Sequence, residues 1–202
     1  QDTIAGVYVS TQHNRKVLDF ISEAGVLKRV RRSGWWVLGI KNPETVAEHS
    51  FRCAIVGYAI ASMEGVHPYK VLMMTLFNDM HEARINDLHK MAQRYFVAKA
   101  VEDKAFKEQV GTLPGPMKNE LSQLHTEYRA QKTKESIIAR DADILECLIQ
   151  AKEYHLHGYK EAVKFMRKAP EHIKTKSARR LWKLAQTMDL NKWWEKLSDF
   201  KR

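Results

Sequence analysis

The chain has 202 residues, of which 44% are hydrophobic and 29% are charged, and it fits one globular domain that is long enough to bury a sizeable core. Nine Gly and five Pro exclude the collagen-like and the Gly/Pro-rich disordered classes. The 34 Lys and Arg against 24 Asp and Glu give a formal net charge of +10, which favours nucleotides, nucleic acid or an acidic membrane surface as partners without choosing among them.

The cysteine content and the hydropathy of the chain indicate the cellular compartment in which the protein works. Cys53 and Cys147 are too few for a disulfide framework and suit a reducing environment. The longest apolar run, residues 53–61, is far shorter than the roughly 20 residues of a membrane span. The N-terminus lacks the basic-then-apolar order of a signal peptide. We therefore expect a soluble, cytoplasmic protein with no membrane segment.

Apolar residues recur at helical spacing along most of the chain. A turn at Asn42-Pro43 precedes the second apolar segment, where Asn42 can cap a helix and Pro43 can occupy its first position. His67-Pro68 repeats this arrangement, and the Gly- and Pro-rich stretch 111–116 is the clearest break. The spacing predicts helices from residue 17 to near residue 32 and over residues 44–63, 71–80, 91–106, 117–130 and 134–154. Because no segment shows sustained strand alternation, we predict an all-α fold in one domain.

The C-terminal part of the chain is strongly basic, with nine Lys or Arg and two Glu in residues 160–183. We favour a solvated helix face with Trp182 buried. The alternative is a nucleic-acid-binding stretch, for which no motif of known spacing is present. We expect Trp193 and Trp194 to pack against a C-terminal helix or a dimer interface rather than to stack on bases.

Three groups of polar residues interrupt the apolar helices, and burying such groups costs several kcal/mol unless they are paired or bound. They are Glu48-His49, the run from Asn78 to Glu82, and Asp141 with Asp143. Imidazole and carboxylate groups that converge from separate helices are typical of a first-row metal site. Asn78, Asp79 and Glu82 share one helical face, so Asp79 can bind a metal while Glu82 reaches a water or a leaving group.

Each of these residues also has a purely structural interpretation. His49 alone fits a hydrogen-bonded structural histidine better than a ligand, and Asp79 and Asp143 could each pair with Lys or Arg. His81 is expected to point away from Asp79. Spacing alone therefore leaves a metal site and a generic helical bundle about equally open.

Several motifs carry a resemblance to a known family. In chain order they are Arg32-Ser-Gly-Trp35, the segment 42–50 (NPETVAEHS), Asn78-Asp-x-x-Glu82, Asp87 and Arg140-Asp-Ala-Asp143. They resemble the HD-domain metal-dependent phosphohydrolases, most closely the 5′-deoxynucleotidase branch, over roughly residues 15–160. The resemblance implies a compact helical bundle that is commonly a homodimer. Within a single domain spanning 1–202, residues 161–202 would form a basic helical extension packed on this core.

The resemblance implies a divalent metal centre. The ligands at the matching positions are His49, Asn78, Asp79 and Asp143. The ion would be Co²⁺, Mn²⁺, Zn²⁺ or Ni²⁺, and Mg²⁺ is also compatible. Asn78 stands where the family has a histidine, and an amide oxygen is a weaker donor to these ions than an imidazole nitrogen. Two explanations fit Asn78: a natural variant with an altered site, or an engineered change that slows turnover.

The activity implied by the resemblance is direct hydrolysis of (deoxy)nucleoside 5′-monophosphates, with Asp79 and Glu82 as catalytic residues. Glu82 would position or deprotonate the attacking water, or protonate the leaving 5′-oxygen. Arg32 would clamp the phosphate oxygens in bidentate fashion. Asp87 would contact the sugar 3′-hydroxyl, and Trp35 either lines the nucleoside pocket or packs in the core.

Two other functions stay open at this point. A triphosphohydrolase acting on dNTPs would need additional cationic contacts near the site. The candidates are Lys28, Arg29, Arg31 and Arg52. A non-catalytic protein that binds nucleotides or nucleic acid would follow if Asn78 abolishes catalysis, with residues 160–183 as the basic surface and an affinity that falls steeply with salt. Nucleic acid is the less favoured partner.

Overall fold

The structure, a computed structural model, describes residues 11–197 and is helical through most of that range. Its α-helices are α1 (Thr11–Ala24), α2 (Val46–Glu64), α3 (Pro68–Phe77), α4 (Glu82–Ile85), α5 (Ala98–Gly111), α6 (Gly115–Ala130), α7 (Lys134–Leu156), α8 (Val163–Lys168) and α9 (Lys176–Thr187). Short 3-10 helices cover Gly25–Lys28, Ser33–Leu38, Ala92–Arg94, Lys160–Ala162, Ala169–His172 and Lys192–Leu197. The predicted all-α fold is confirmed. None of the helices in this range is both long and apolar enough to cross a bilayer.

Helices α2, α3 and α7 form the centre of the molecule. Ile60 of α2 and Val71 of α3 have no exposed surface, and Leu145 of α7 is 1% exposed. Burying a side chain of this size contributes about 1.5–3 kcal/mol. Gly57 lets α2 and α3 approach closely, because a Cβ at this position would lie 3.1 Å from the side chains of Val71 and Thr75. Polar side chains on the facing sides of these helices are therefore brought together away from water.

Helix α2 begins at Val46, and the prediction that Asn42 caps it and Pro43 opens it is wrong. Thr45 is the N-cap. Its hydroxyl accepts a hydrogen bond from the Glu48 amide (3.2 Å), and the Glu48 carboxylate accepts one from the Thr45 amide (2.6 Å). This reciprocal capping box satisfies two backbone donors at the helix start.

A short extended pairing lies in front of α2 and explains the later start. The Arg32 amide donates to the Glu44 carbonyl (3.0 Å), and the Val46 amide donates to the Val30 carbonyl (2.9 Å). These bonds, together with the isolated bridge between Arg31 and Thr45, keep the segment before α2 extended. They also place Arg32 next to the first turns of α2.

The segment between α4 and α5 is a loop where the spacing predicted a helix from residue 91, and α5 begins only at Ala98. Asn86 ends α4 with a φ of 62° and a ψ of 170°, outside both helical regions. Further along, the Gln93 side chain donates to the Leu88 carbonyl (2.7 Å). Such side-chain bonds to the backbone compete with helix formation.

Helices α8 and α9 pack against α7. Trp182 of α9 is 5% exposed, so its predicted burial is confirmed. The Lys152 ammonium on α7 donates to carbonyls at the C-terminal end of α9, among them that of Met188 (2.6 Å). Trp193 and Trp194 are 74% and 48% exposed.

Candidate active site

A cavity of about 800 Å³ opens between the 32–35 segment, the turn from α3 to α4, and helices α5, α6 and α7. Seven of the residues predicted for the site line it: Arg32, Trp35, Asn78, Asp79, Glu82, Asp87 and Asp143. His49, the eighth, contacts two of the lining carboxylates and is 1% exposed. The structure therefore brings every residue predicted for the site to one place.

His49 stands between two carboxylates that come from other helices. It projects from the first turn of α2, Asp79 follows the end of α3, and Asp143 lies inside α7. The His49 Nε2 atom is 3.5 Å from Asp79 Oδ2 and 3.4 Å from Asp143 Oδ1. Three helices thus converge on one imidazole nitrogen.

The other side of the His49 ring is held by Glu146, whose carboxylate hydrogen-bonds to Nδ1. Glu146 has no exposed surface, and it also accepts a bond from Arg52 Nε (2.9 Å). Burial and the charge of Arg32 oppose protonation of His49, but Glu146 and Asp143 outweigh them and raise its pKa to about 10. Because Nδ1 is engaged, the ring orientation is fixed with Nε2 facing Asp79 and Asp143.

The donor atoms at this point fit a divalent first-row metal. One imidazole nitrogen, which loses its proton when a metal binds, and two carboxylate oxygens are ligand types that such ions accept. The His49 Nε2 atom lies close enough to each of the two carboxylates, at 3.5 and 3.4 Å, for the nitrogen and that carboxylate to bind the same ion. Burial opposes ionisation of Asp143, yet the hydrogen bond from His49 and the charge of Arg140 hold the pKa of Asp143 well below its usual value. Glu146 supplies the carboxylate–histidine contact that commonly orients a ligating imidazole.

Asn78 differs from the other predicted ligands in what it contacts. It follows directly on α3, and its Nδ2 donates to Asp79 Oδ1 at 2.7 Å. The amide therefore holds one oxygen of Asp79 while the other oxygen faces His49. Asn78 positions a carboxylate in this structure.

Glu82 begins α4 and faces the cavity from a buried position, with 7% of its surface exposed. Its Oε2 atom is buried and has no hydrogen-bond partner among the described residues. Burial, and then the negative charges of Asp79 and Asp87, raise the pKa of Glu82 well above its ordinary value. This environment favours the protonated form of Glu82 more than that of an ordinary glutamate.

Arg32 reaches the cavity from the extended segment before α2. Its Nη2 donates to the Sγ of Cys147 at 3.0 Å. Buried guanidinium groups need acceptors, and in this structure the acceptor for that N–H is a sulfur rather than a carboxylate. Its remaining N–H donors are available to an anion in the cavity.

Asp87 is fixed at the cavity wall, whereas Trp35 is packed mainly in the core. Asp87 Oδ2 accepts a hydrogen bond from the Ser33 amide (2.6 Å), which fixes the carboxylate at the cavity wall. Trp35 is 2% exposed and donates through Nε1 to Glu44 (3.0 Å). Its ring centroid lies 4.7 Å from that of Phe165, so Trp35 is packed in the core and contributes one edge to the cavity.

Several polar residues of the site were not predicted. They are Glu146, Cys147 and Arg140, all on α7. Arg140 donates to Asp143 at 2.8 Å. The three α7 residues stand three or four positions from Asp143, so they share its helical face. This spacing is the feature of the sequence from which their place at the site could have been predicted. His81, expected to point away from Asp79, is 5% exposed and lines the cavity.

The cations around the cavity also differ from those expected. The residues that line it are Lys90, Lys99, Arg129, Arg140 and Lys174, besides Arg32. Lys28, Arg29, Arg31 and Arg52, the candidates for triphosphate contacts, are not among its lining residues in the described part of the chain. Arg52 is instead held by Glu146 and by Glu153 (2.8 Å).

Comparison with known proteins gives consistent results. Residues 24–184 match the sequence model of the HD domain family. The 5′-deoxynucleotidase HDDC2 of Dictyostelium discoideum is 30% identical over 149 residues, which span 68% of this chain and 76% of that protein. A conserved hypothetical protein from Pyrococcus furiosus superposes with a TM-score of 0.71 at 35% identity, covering 84% of this chain and 96% of that one. A predicted metal-dependent phosphohydrolase from Magnetospirillum magnetotacticum MS-1, at 23% identity and a TM-score of 0.66, shares the fold. The chain belongs to the HD domain family.

Proposed function

We propose that this chain is a divalent-metal-dependent phosphohydrolase that removes the phosphate from (deoxy)nucleoside 5′-monophosphates. The observation that carries the proposal is the buried Oε2 atom of Glu82, which has no hydrogen-bond partner in the described part of the chain and belongs to a residue that lines a cavity beside His49, Asp79 and Asp143. A raised carboxyl pKa next to such a cluster is a common property of catalytic acids. The name of the Dictyostelium relative, a 5′-deoxynucleotidase, supports the substrate class.

His49, Asp79 and Asp143 would hold the metal, for which Co²⁺, Mn²⁺, Zn²⁺ and Ni²⁺ suit the donor set better than Mg²⁺. When bound, such an ion supplies a Lewis acid and lowers the pKa of water. Asn78 keeps Asp79 oriented through its amide. An imidazole at position 78 would add a stronger donor than the amide, so Asn78 weakens the site relative to a histidine.

Glu82 would act as the general acid. Its carboxyl group faces the cavity and its surroundings favour the protonated form, and donating that proton to the leaving 5′-oxygen would convert a poor leaving group into a hydroxyl. Arg32 would bind two phosphate oxygens with its planar guanidinium. Asp87 would accept a hydrogen bond from the sugar 3′-hydroxyl, and Trp35 would limit the depth of the nucleoside pocket.

A homodimer is the proposed assembly. Helix α2 presents Phe51, Ile55 and Tyr58 to solvent, with exposures of 65%, 51% and 40%. These residues stand three or four positions apart and form one stripe on the side of α2 away from His49. A second copy of the chain could cover this stripe without blocking the cavity.

The proposed function is tested by phosphate release from a panel of nucleoside mono- and triphosphates with Mn²⁺, Co²⁺, Mg²⁺ or EDTA. We expect metal-dependent release of orthophosphate from monophosphates, a loss of about 100-fold or more in Glu82→Gln, and faster turnover in Asn78→His. Glu108→Gln, an exposed glutamate on α5, serves as the matched control.

Three results would contradict the proposal: undiminished release in EDTA, an unchanged rate in Glu82→Gln, or no release from any nucleotide with any metal even in Asn78→His. Release of pyrophosphate or triphosphate instead of orthophosphate would identify a triphosphohydrolase. Each result therefore assigns or removes a specific activity.

A further inference from the structure

Cys147 lies one helical turn after Asp143 on α7, on the face that meets His49. One ring nitrogen of His49, one carboxylate oxygen of Asp143 and the Cys147 sulfur all lie within 4.8 Å of one another. Two donors at i and i+4 of one helix present their side chains side by side, which is the spacing that lets a helix chelate an ion. Cys147 also lines the cavity, so the sulfur faces the same space as the carboxylates.

The contacts of the sulfur agree with a ligand role. Arg32 Nη2 donates a hydrogen bond to Sγ at 3.0 Å, so the sulfur acts as an acceptor, although burial outweighs the charge of Arg32 and raises the pKa of the thiol. Hydrogen bonds from such groups to a coordinated sulfur are a common way of supporting a metal thiolate. Arg32 carries five N–H donors, so this contact leaves others for a phosphate.

A second observation points to a missing ligand at the same place. Glu82 Oε2 is buried, belongs to a residue that is 7% exposed, and has no hydrogen-bond partner among residues 11–197. It faces the cavity that Asp143 and Cys147 also line. A buried oxygen without a partner is expected where a ligand completes the site. The side-chain amide of Asn78 donates a hydrogen bond to Asp79, so position 78 does not supply a second strong metal ligand to the cluster.

We propose that Cys147 is a fourth protein ligand of the metal centre, together with His49, Asp79 and Asp143. This inference rests on the proposed function, because it concerns the same metal. On binding, the S–H bond breaks, a sulfur–metal bond forms, and the proton leaves to solvent. A thiolate is a soft donor and selects Zn²⁺ or Co²⁺ over Mn²⁺ and Mg²⁺.

The experiment is the absorption spectrum of the full-length, reduced protein titrated with Co²⁺. Cobalt bound to a thiolate gives a sulfur-to-metal charge-transfer band in the near ultraviolet, and cobalt in any protein site gives weaker bands in the visible. We expect both sets of bands in the unchanged chain. The charge-transfer band should be absent in Cys147→Ala, while the visible bands persist with altered positions.

Cys53→Ala is the matched control, because Cys53 is the other cysteine, lies on α2 and is 2% exposed. It should keep the charge-transfer band. Circular dichroism and the unfolding midpoint verify that both variants are folded. In chelator competition, Cys147→Ala should bind Zn²⁺ at least about tenfold more weakly, with little change for Mn²⁺.

The outcomes separate this inference from the proposed function. A charge-transfer band that survives in Cys147→Ala, or visible bands without a charge-transfer band in the unchanged chain, would overturn the ligand role and leave the metal centre standing. No cobalt bands in any folded variant would overturn both. Phosphate release measured on the same samples reports the activity independently of which atom binds the metal.

Discussion

His49 is the residue on which the site depends, because both of its ring nitrogens are engaged and each faces a different group. Nε2 faces the carboxylates of Asp79 and Asp143, and Nδ1 is bonded to Glu146. Glu146 in turn is held by Arg52 at 2.9 Å. The orientation of the imidazole is therefore set by residues that do not line the cavity themselves.

We expect Glu146→Gln to weaken metal binding by about 10–100-fold, the range found for groups that orient a ligating histidine. The amide keeps the shape of the carboxylate but loses its charge, so the imidazole becomes a poorer donor and Arg52 loses a charged partner. Zinc titration against a chromophoric chelator measures the affinity.

Glu153→Gln is the control for this variant. Glu153 binds the same Arg52 guanidinium at 2.8 Å, but its side chain is 30% exposed and it stands two helical turns beyond Glu146. It should leave zinc affinity within a factor of about two. Equal losses in the two variants would mean that Arg52, and not the contact to His49, is what supports the metal.

At the residue scale, the sequence predicts donors better than it predicts the groups that hold them. His49, Asp79 and Asp143 stand out because they interrupt apolar helices and match family motifs. Glu146 lies in an apolar stretch of α7, and its partner His49 is 97 residues away. Helical spacing indicates which face a residue occupies, but it does not indicate which side chain of another helix will meet it.

The contact between α5 and α6 contains a buried histidine. His125 of α6 stacks on Phe106 of α5 with ring centroids 4.1 Å apart, and its Nε2 lies 2.9 Å from Asp103 Oδ1. Burial, together with the nearby charge of Arg129, lowers the pKa of His125, although the bond to Asp103 acts in the opposite direction. His125 is therefore neutral in the folded protein near neutral pH.

This contact makes folding stability depend on pH below about 6.5, the ordinary pKa of histidine. Below that value the unfolded chain binds the His125 proton more readily than the folded chain, so stability is complete above it and decreases as the pH falls. We expect the free energy of unfolding to fall more between pH 7.5 and pH 5 in the unchanged protein than in His125→Gln. Urea unfolding at several pH values measures this difference, and parallel profiles would contradict it.

At the element scale, the existence of the helices is predictable and their starts are less so. Two start signals precede α2: Asn42-Pro43, and Thr45 with Glu48 three residues later. The pairing of residues 30–32 with residues 44–46 keeps the chain extended as far as Thr45, so the helix begins at the second start signal. Local sequence patterns do not reveal this pairing. For α3 no such pairing intervenes, and His67 with Pro68 opens the helix as predicted.

The whole molecule combines a net charge of +10 with an exposed apolar stripe on α2. Two such chains repel each other at long range, so the proposed dimer must form through short-range apolar contact and should tighten as salt screens the charges. Sedimentation at increasing NaCl concentrations measures the association.

We expect Phe51→Glu to be monomeric, because it places a charge in the stripe at its most exposed residue. Leu18→Glu is the control, since Leu18 is 62% exposed but lies on α1. It should remain dimeric. A monomer at all concentrations in the unchanged chain, or a dimer in Phe51→Glu, would remove α2 as the interface.

The separation of α2 and α7 along the chain has a consequence for the order of events during synthesis. At translation rates of about 5–20 residues per second, roughly 5–20 seconds pass between the appearance of His49 and that of its partner 97 residues later. Contacts of such long range form late in folding because closing the intervening loop costs entropy. A nascent chain that ends before α7 carries the imidazole without Asp143 or Glu146. Under the proposed function, the metal binds only after α7 has been synthesised, and chains released before that point would take up none.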